Sequence, residues 1–326
     1  MRVLVTGGSG YIGCVSVERL LAAGHAVVVL DSLATSREGR LPVGATLVRG
    51  SVGDRPKVER LLRDAGIEAI LHCAARSLVG QSMADPALYY AENVVGGIAL
   101  LDVALAAGVD RFVLSSTAAV YGIPERTPIE EEDPLRPVNP YGATKLAFEG
   151  ALRWYGLRGL RSICLRYFNV AGASPDSGEE HDPETHLIPN LLAAARTGVP
   201  VTLFGDDYPT PDGTPIRDYI HVLDLADAHL AALERTAAIA PGQEVCNLGT
   251  GTGFSVRAVL AAAGTVTGAP VPHTFGPRRP GDPPVLVAAN GRARSLLGWT
   301  PQRSTLPEMI GSAWAWQTRR AEEAAR

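Results

Sequence analysis

The sequence predicts an α/β protein built on a doubly wound parallel sheet, with a smaller second lobe interwoven in its C-terminal half. Three observations predict this fold. A glycine-rich turn joins an apolar run to a helical pattern at the N-terminus, strand-length apolar runs then alternate with helical patterns, and several of these runs are continuously apolar. Continuous apolarity is typical of parallel strands that are buried on both faces.

The first element is an apolar run from Val3 to Thr6, which leads into glycines 7, 10 and 13 and a helical pattern from Tyr11 to about Ala23. The first glycine allows a tight turn, the second lets the backbone approach a pyrophosphate, and the third lets the helix lie close to the sheet. Unpaired N–H groups at the helix start favour phosphate. The stretch predicts a dinucleotide site.

The second predicted strand is the run Ala26–Leu30, which ends at Asp31. A carboxylate at this strand end can accept hydrogen bonds from both ribose hydroxyls of the adenosine half, and it would repel a 2′-phosphate. We therefore expect the cofactor to be NAD rather than NADP.

Further strands and helices follow in alternation. Strands are predicted at Thr46–Val48, Ala69–Cys73, Arg111–Ser116 and Ser162–Arg166. Two helical patterns, from about Ala87 to Ala107 and from about Pro140 to Tyr155, are apolar around much of their surface. Such helices can pack on the sheet, and the excess apolar surface leaves room for a subunit interface.

Beyond Phe168 the chain becomes richer in polar loops, and its elements predict a second lobe. We expect helices and strands at Leu187–Thr197, Val201–Phe204, Leu223–Glu234, Glu244–Leu248, Val256–Ala263, Gly291–Leu297 and Leu306–Arg319. The cofactor domain would comprise residues 1–168 with about 223–250, and the substrate lobe about 169–222 and 251–326.

Composition excludes several classes of protein. The net charge is -4 without charge blocks, which argues against nucleic-acid and membrane-surface binding. The four cysteines are scattered and predict reduced thiols in the cytoplasm. No stretch approaches the ~20 apolar residues of a membrane span, and a first strand starting at residue 2 leaves no room for a signal peptide.

A tyrosine and a lysine four residues apart are the strongest candidates for catalysis. Tyr141 and Lys145 follow the helix starter Asn139-Pro140, so both side chains share one helix face. A lysine ammonium and a cationic nicotinamide both favour the phenolate, which could take a proton from a substrate hydroxyl as hydride leaves. Thr117, at the carboxyl end of a predicted strand, can relay that proton.

Five stretches carry a resemblance to a known family: Thr6–Gly13, Ser115–Gly122, Tyr141–Lys145, Arg166–Asn169 and Phe204–Val222. With them the chain resembles the extended short-chain dehydrogenase/reductases, and within that group the UDP-glucose 4-epimerases, over almost its whole length. The resemblance implies a tightly held NAD and the interconversion of UDP-glucose and UDP-galactose through a transient 4-keto sugar. It also implies a homodimer, and Tyr141, Lys145 and Thr117 as catalytic residues.

The resemblance also implies two sets of binding residues. The cofactor set is Gly7, Gly10, Tyr11, Ile12, Gly13, Asp31, Ser32, Ser51, Val52, Cys73, Ala74, Ala75, Asn93, Ser115, Tyr141, Lys145, Tyr167 and Phe168. The substrate set is Thr117, Asn169, His186, Leu187, Thr202, Phe204, Arg217, Tyr219, Arg279, Asp282 and Leu286. In the second set the two arginines would bind the diphosphate and the aspartate the uridine ribose.

Three positions depart from the family pattern. Ser51 stands where many members have an aspartate near the adenine, and Ser77 where some have a lysine beside the cofactor. Leu286 stands where a tyrosine limits the sugar pocket in some members. A leucine is less bulky, and our hypothesis is that UDP-GlcNAc and UDP-GalNAc are also accepted.

The sequence also bears on alternative sites and functions. The stretch Glu179–His186 carries metal-ligand types without helical placement, and we expect a solvated substrate loop and no metal. A nucleotide-sugar 4,6-dehydratase would want an acid pair directly after Thr117, where Ala118 and Ala119 stand. A UDP-glucuronate 4-epimerase remains open, and a non-catalytic NAD-sensing module would be expected to lose Tyr141 or Lys145.

Overall fold

The computed structural model describes residues 1–36, 41–279 and 281–324. Its strands are β1 Arg2–Thr6, β2 Ala26–Asp31, β3 Thr46–Arg49, β4 Ala69–His72, β5 Arg111–Ser115, β6 Arg161–Tyr167, β7 Asn169–Ala171, β8 Val201–Phe204, β9 Ile216–His221, β10 Gly242–Leu248, β11 Gly253–Ser255, β12 His273–Gly276 and β13 Val285–Leu286.

The helices are α1 Tyr11–Ala22, α2 Arg55–Ala65, α3 Val79–Ala84, α4 Pro86–Tyr89, α5 Gly96–Ala106, α6 Pro140–Gly156, α7 Leu187–Thr197, α8 Val222–Arg235, α9 Val256–Thr267, α10 Gly291–Leu297 and α11 Leu306–Ala324. A π-helical segment, Tyr90–Val95, joins α4 to α5, and 3-10 turns lie at Ala118–Val120 and Thr236–Ala238.

Seven strands form one parallel sheet in the order β10-β6-β5-β4-β1-β2-β3. The strand β1 lies between β2 and β4, so the direction of winding reverses there. In sheets of this kind ligands bind beyond the carboxyl ends of the strands, next to that reversal. The arrangement confirms the predicted doubly wound parallel sheet.

Both faces of the sheet are covered by helices. In β1, Val3 and Val5 pack with α1, α8 and α10, whereas Leu4 packs on the opposite face with α2, α5 and α6. Successive residues of a strand point to opposite faces. A strand buried on both faces must therefore be apolar at every position, which is the pattern that the sequence shows.

The second half builds a smaller, separate core. The strand β9 pairs with β7, β11 and β13, and β8 pairs with β12. The helices α7, α9 and α11 pack around a third apolar cluster beside these strands. Neither β7 nor β9 is among the strands that the sequence predicts.

One expectation about apolar segments is wrong. The helical stretch Pro86–Ala106 has the length and composition of a membrane span, with a mean hydropathy of 1.3 over its most apolar window. It lies in the fold beside α2 and α6, and Leu100, Leu101 and Ala104 are fully buried in the core there. The core helix of a folded domain meets the same criteria of length and composition.

Candidate active site

A cavity of about 690 Å³ opens at the carboxyl ends of β1, β2, β4, β5 and β6. Its walls come from the glycine turn, the start of α6 and segments of the second lobe. This is the edge of the sheet at which the winding reverses, so the cavity lies where a doubly wound sheet binds its ligands.

The glycine turn forms one end of the cavity. Gly7 has φ +68°, and a Cβ there would lie 2.6 Å from the backbone nitrogen of Ala74. A Cβ on Gly13 would lie 2.8 Å from the Cα of Gly8, so any side chain at position 13 would push α1 away from the turn. Gly10 lines the cavity and precedes the first turn of α1, whose N–H groups can bind an anion.

The carboxylate of Asp31 lies at the end of β2 beside this turn. It is 8% exposed, and its two oxygens accept hydrogen bonds from the backbone nitrogens of Ser9 at 2.9 Å and Leu33 at 2.8 Å. It also lines the cavity. These contacts hold the carboxylate at the end of β2 beside the glycine turn, where it can accept hydrogen bonds from the adenosine ribose of a dinucleotide.

Most of the predicted cofactor residues line the same cavity. All of the predicted set do so except Asn93, which lies one layer behind. The Asn93 side chain bonds both backbone groups of Arg76 and donates to the hydroxyl of Thr144. It therefore supports the wall rather than forming it. Arg76 and Glu92 line the cavity too, and neither was singled out from the sequence.

The helix α6 carries the candidate catalytic side chains into the cavity. Asn139 caps the helix by accepting a hydrogen bond from Gly142 at 2.8 Å, with proline at the first helical position. Tyr141 and Thr117 share a side-chain hydrogen bond at the cavity wall. Lys145 is 4% exposed. The structure thus brings together Tyr141, Lys145 and Thr117, as the sequence predicts.

Burial has the largest effect on the pKa values of Tyr141 and Lys145. It raises the pKa of Tyr141 to about 12 against a smaller lowering by the Thr117 hydrogen bond. It also lowers the pKa of Lys145 to about 8, although the nearby thiol of Cys73 and carboxylate of Glu149 raise it. The expected lowering of the tyrosine pKa is therefore not seen in the protein without its ligands, and a cationic ring beside the phenol would add to the effect of Lys145.

A buried ion pair behind α6 was not anticipated from the sequence. The guanidinium of Arg166 donates to both carboxylate oxygens of Glu149, at 2.6 to 3.2 Å, and the hydroxyl of Ser116 donates to the same carboxylate at 2.5 Å. Arg166 and Glu149 are each about 3% exposed. Glu149 follows Lys145 by four residues on α6, so this pair sets how the helix lies against β5 and β6.

The part of the cavity that the second lobe lines contains two arginines and an aspartate. A guanidinium nitrogen of Arg217 lies 2.5 Å from a carboxylate oxygen of Asp282. The guanidinium of Arg279 lies 4.3 Å from the centre of the Phe204 ring. Arg217, Arg279 and Asp282 line the cavity, together with Asn169, His186 and Leu286. The two cations can bind phosphate oxygens there.

Four predicted substrate residues do not line the cavity: Leu187, Thr202, Phe204 and Tyr219. Leu187 and Tyr219 pack in the apolar cluster of the second lobe. Thr202 pairs with Thr274 in the β8–β12 ladder, and Phe204 lies beneath Arg279. Leu187 and Tyr219 are thus used in the packing of the second lobe, whereas Thr202 and Phe204 are exposed, and the assignment of all four to the substrate stays a prediction.

The stretch before α7 also reaches the cavity. Glu179, His181 and His186 line it, and their possible ligand atoms lie within 4.8 Å of one another. The carboxylate of Glu179 is only 11% exposed. Glu179 is therefore mostly shielded from solvent within the predicted substrate loop.

Comparison with known proteins gives one consistent result. The model of the NAD dependent epimerase/dehydratase family matches residues 3–249. A UDP-glucose 4-epimerase of Corynebacterium glutamicum is 47% identical over 317 residues, which cover 97% of this chain and 95% of that protein.

Solved structures agree. The UDP-glucose 4-epimerase of Brucella ovis in complex with NAD superimposes with a TM-score of 0.93 at 42% identity, over 97% of this chain and 98% of that one. The UDP-glucose 4-epimerase of Bifidobacterium longum in complex with NAD+ and UDP gives 0.92 at 36% identity, over 98% and 99%.

Proposed function

Because the chain belongs to the NAD dependent epimerase/dehydratase family, we propose that it interconverts UDP-glucose and UDP-galactose by inverting C4, with NAD as cofactor. The observation that carries the proposal is the placement of Tyr141, Thr117 and Lys145 in the same cavity as the glycine turn and Asp31. That combination supplies a proton acceptor beside a dinucleotide site.

The residues present fit NAD. The turn from Gly7 to Gly13 offers backbone N–H groups to a pyrophosphate, and Asp31 offers a carboxylate to the adenosine ribose. Ser51 and Val52 line the cavity and would border the adenine, and Cys73, Ala74 and Ala75 line the cavity as well. A 2′-phosphate would meet the Asp31 carboxylate, so NAD is favoured over NADP.

Bound NAD would accept the C4 hydride of the sugar and return it, and the protein handles the proton. The phenol oxygen of Tyr141 takes the proton of the C4 hydroxyl, directly or through the hydroxyl of Thr117, and gives it back when the hydride returns. Lys145 stabilises the phenolate electrostatically. The sugar must turn over between the two transfers, so the protein should hold the nucleotide firmly and the sugar loosely.

The second lobe supplies the residues that would bind the nucleotide part of the substrate firmly. Arg217 and Arg279 would bind the diphosphate, and Asp282 would accept hydrogen bonds from the uridine ribose. Arg217 is 9% exposed, so its charge acts in a low-dielectric setting where a phosphate contact is strong. Its ion pair with Asp282 holds the guanidinium in place for the ligand.

The pocket around the sugar sets which hexoses are accepted. Leu286 lines the cavity and carries no hydroxyl or ring. The smaller side chain leaves space at this position, and we extend the proposal to UDP-GlcNAc and UDP-GalNAc. A UDP-glucuronate 4-epimerase is the second candidate, because Arg76 lines the same cavity and can pair with a carboxylate.

The dehydratase and sensor alternatives receive less support. A dehydratase needs an acid pair beside Thr117, and the 3-10 turn there contributes Ala118 and Ala119. An NAD-sensing module has no use for a buried Tyr141 and Lys145 at the cavity wall, where burial of the lysine is energetically costly.

The proposal includes a homodimer in the cytoplasm, with residues 1–168 and about 223–250 as the cofactor domain and the remainder as the nucleotide-sugar lobe. Apolar side chains are exposed on neighbouring segments: Val95 is 65% exposed, Trp154 on α6 is 65% exposed, and Leu157 directly after α6 is 81% exposed. The π segment and α6 are in contact, so these side chains can contribute to one apolar surface. Sedimentation equilibrium tests the dimer.

The decisive experiment incubates the purified protein with UDP-glucose, UDP-GlcNAc and UDP-glucuronate in turn, and resolves the epimers by chromatography. Approach to an equilibrium mixture with UDP-galactose supports the proposal. Unchanged UDP-glucose and UDP-GlcNAc together would overturn it, and turnover of UDP-glucuronate alone would favour the second candidate. Loss of the C6 hydroxyl would identify a dehydratase.

A further inference from the structure

A buried series of hydrogen bonds runs from the first turns of α1 to the cavity through His229 on α8. The hydroxyl of Ser16 lies 2.8 Å from the carbonyl oxygen of Ile12, and Nδ1 of His229 lies 3.3 Å from the same hydroxyl. On the other side of the ring, Nε2 lies 3.1 Å from the hydroxyl of Ser115, which in turn lies 3.1 Å from the hydroxyl of Tyr167. We call the side chains of Ser16, His229, Ser115 and Tyr167 the histidine chain.

The carbonyl oxygen at one end fixes the direction of the first two bonds. A carbonyl only accepts, so the single proton of the Ser16 hydroxyl is donated to Ile12. Burial lowers the pKa of His229 to about 3, so the ring is neutral at neutral pH and carries one N–H. That N–H is at Nδ1, because Ser16 has no second proton to donate to the ring. The other nitrogen, Nε2, is therefore unprotonated and can only accept.

Ser115 continues the histidine chain to the cavity in the same direction. Its hydroxyl donates its one proton to Nε2 of His229, so its lone pairs are left to accept. Tyr167 is therefore the donor in its bond with Ser115. Cys73 shares a side-chain hydrogen bond with Ser115 as well, and its thiol is the donor for the same reason. The proton of the Tyr167 phenol is thus used within the protein, and a ligand can meet only the lone pairs of its oxygen.

Tyr167 is a neighbour of the candidate catalytic tyrosine. Tyr141, Tyr167 and Ser115 all line the cavity. Burial raises the pKa of the Tyr167 phenol well above its usual value, and the nearby phenol of Tyr141 adds to the effect. Tyr167 therefore stays protonated, and its proton stays in the bond with Ser115. The two phenols differ in what they offer a ligand: Tyr141 exchanges a proton in the proposed reaction, whereas Tyr167 can only accept a hydrogen bond.

We propose that His229 is a positioning residue that, through Ser115, holds the Tyr167 phenol as a hydrogen-bond acceptor for the carboxamide N–H of bound NAD. His229 does not line the cavity, so it acts through the other members of the histidine chain. The choice of the carboxamide rests on the proposed function, in which the nicotinamide ring lies beside Tyr141. A hydroxyl of the sugar has the same donor chemistry and is the alternative source.

Competition between two dinucleotides tests the acceptor. Acetylpyridine adenine dinucleotide has a methyl group in place of the carboxamide NH₂, so it lacks the donor and keeps the carbonyl. The full-length protein is equilibrated with an equimolar mixture of this analogue and NAD, and the retained dinucleotides are released by heat and quantified by chromatography. We expect His229→Leu to lower the ratio of bound NAD to bound analogue at least about threefold relative to wild type, because Ser115 then loses its acceptor and can donate to the phenol.

Two further variants separate the orientation of Tyr167 from a loss of stability. His229→Gln can place an amide oxygen where Nε2 accepts, so it should keep the wild-type ratio. His221→Leu is the matched control and should also keep it. The ring of His221 is buried and lies 3.0 Å from a serine hydroxyl, that of Ser312, but it does not line the cavity. Thermal unfolding reports the loss of stability in each variant.

Tyr167→Phe removes the acceptor itself and leaves His229 in place. It should lower the ratio as far as His229→Leu does, and the double variant should show no further fall, because His229 acts through Tyr167. The same ratio in wild type and Tyr167→Phe overturns the proposal, and so does an additional fall in the double variant. A ratio in His229→Gln as low as that in His229→Leu overturns it as well.

The source of the donor is decided by kinetics with UDP-glucose. Unchanged dinucleotide ratios together with a raised KM for UDP-glucose in Tyr167→Phe would assign the donor to the sugar and overturn the choice of the carboxamide. The competition does not depend on turnover. The expected ratios in a chain that fails to epimerise UDP-glucose would therefore refute the proposed function and leave the role of His229 intact.

Discussion

The ammonium nitrogen of Lys145 donates a hydrogen bond to the carbonyl oxygen of Ser115 at 2.9 Å. This contact joins α6 to the carboxyl end of β5, and it is fully buried. Burial lowers the pKa of Lys145 to about 8 and thus disfavours the charged ammonium. The nearby carbonyl oxygen opposes this effect, because its hydrogen bond stabilises the charged form near neutral pH. The lysine is therefore anchored beside Tyr141 by the backbone, independently of any ligand.

Tyr141→Phe should abolish nearly all turnover while NAD remains bound. The change removes only the proton acceptor, and general base catalysis contributes typically about 10²–10⁴-fold. Epimerisation of UDP-glucose and the NAD content of the purified protein are measured together. Tyr155→Phe is the control on the same helix, since the Tyr155 hydroxyl donates to Asp102 away from the cavity. Undiminished turnover in Tyr141→Phe would refute the role of the phenol.

Gly13→Ala should release NAD. A Cβ at this position would meet the backbone of the glycine turn, so α1 would have to move away from the phosphates. Gly150→Ala is a matched control on α6, where a Cβ meets nothing within 4 Å, and it should stabilise the protein by about 0.5–1 kcal/mol. NAD content and thermal unfolding are compared. Retention of NAD by Gly13→Ala would show that the helix can shift without loss of the site.

Arg217→Lys should weaken substrate binding more than it slows the chemistry. A lysine keeps the charge but loses the forked pairing with both a phosphate and Asp282. We expect KM for UDP-glucose to rise at least about tenfold with little change in kcat or NAD content. Arg278→Lys is the control, because Arg278 pairs with exposed Asp207 instead. A loss confined to kcat would place Arg217 in the chemical step.

Removal of one partner from the Glu149–Arg166 pair should strongly destabilise the protein. Both side chains are buried, so Glu149→Gln leaves a charged guanidinium without its counterion, at a cost of about 3–5 kcal/mol. Urea unfolding of the single and double variants gives the coupling energy. Glu125→Gln, in an exposed pair with Arg136, should cost about 0–1 kcal/mol. Equal costs at the two sites would contradict the argument from burial.

A buried histidine predicts how stability depends on pH. Burial lowers the pKa of His229 to about 3, whereas an unfolded chain has a histidine pKa of about 6.5. The unfolded chain therefore binds the extra proton first, and the stability that neutral His229 contributes above pH 6.5 is lost as the pH falls toward 3. The loss approaches about 1.4 kcal/mol per pH unit.

His229→Gln should remove that share of the acid sensitivity. Urea unfolding between pH 6 and pH 4 is compared for wild type, His229→Gln and the exposed His273→Gln. Gln keeps a polar group near the hydroxyl of Ser115, which meets His229 at 3.1 Å. The slope of unfolding free energy against pH should fall only for His229→Gln. Parallel slopes for all three proteins would show that His229 is protonated in the folded state.

The first half of the fold was predictable because the residue patterns that specify it lie within short stretches of sequence. Each strand such as Ala26–Asp31 is buried on both faces, so its apolarity is visible in a few consecutive residues. The glycine turn and the start of α6, where Asn139 is the cap and Pro140 the first helical residue, are each marked by residue types that favour that local structure. The residues of the cofactor site lie close to these signals, and all but Asn93 line the cavity.

The second lobe was less predictable because its contacts join distant segments. The strand β9 is built from Ile216–His221, whose charged and polar residues give no strand pattern, and it exists because β7, β11 and β13 pair with it. Tyr219 is recruited into the apolar core and Phe204 lies beneath Arg279. The pairing of Glu149 with Arg166 likewise spans α6 and β6, and no local pattern marks it.

The late position of β10 in the chain has a consequence for biosynthesis. All seven residues Gly242–Leu248 pair with β6, which is otherwise an outer strand of the sheet. A nascent chain that has left the ribosome only as far as Phe168 therefore carries a seven-residue strand with an open edge, and such edges can pair with other chains. The edge of β6 stays open until residue 248 has emerged from the ribosome. Chaperone demand during synthesis should therefore be highest between the emergence of Phe168 and that of Leu248, before the last helix is made.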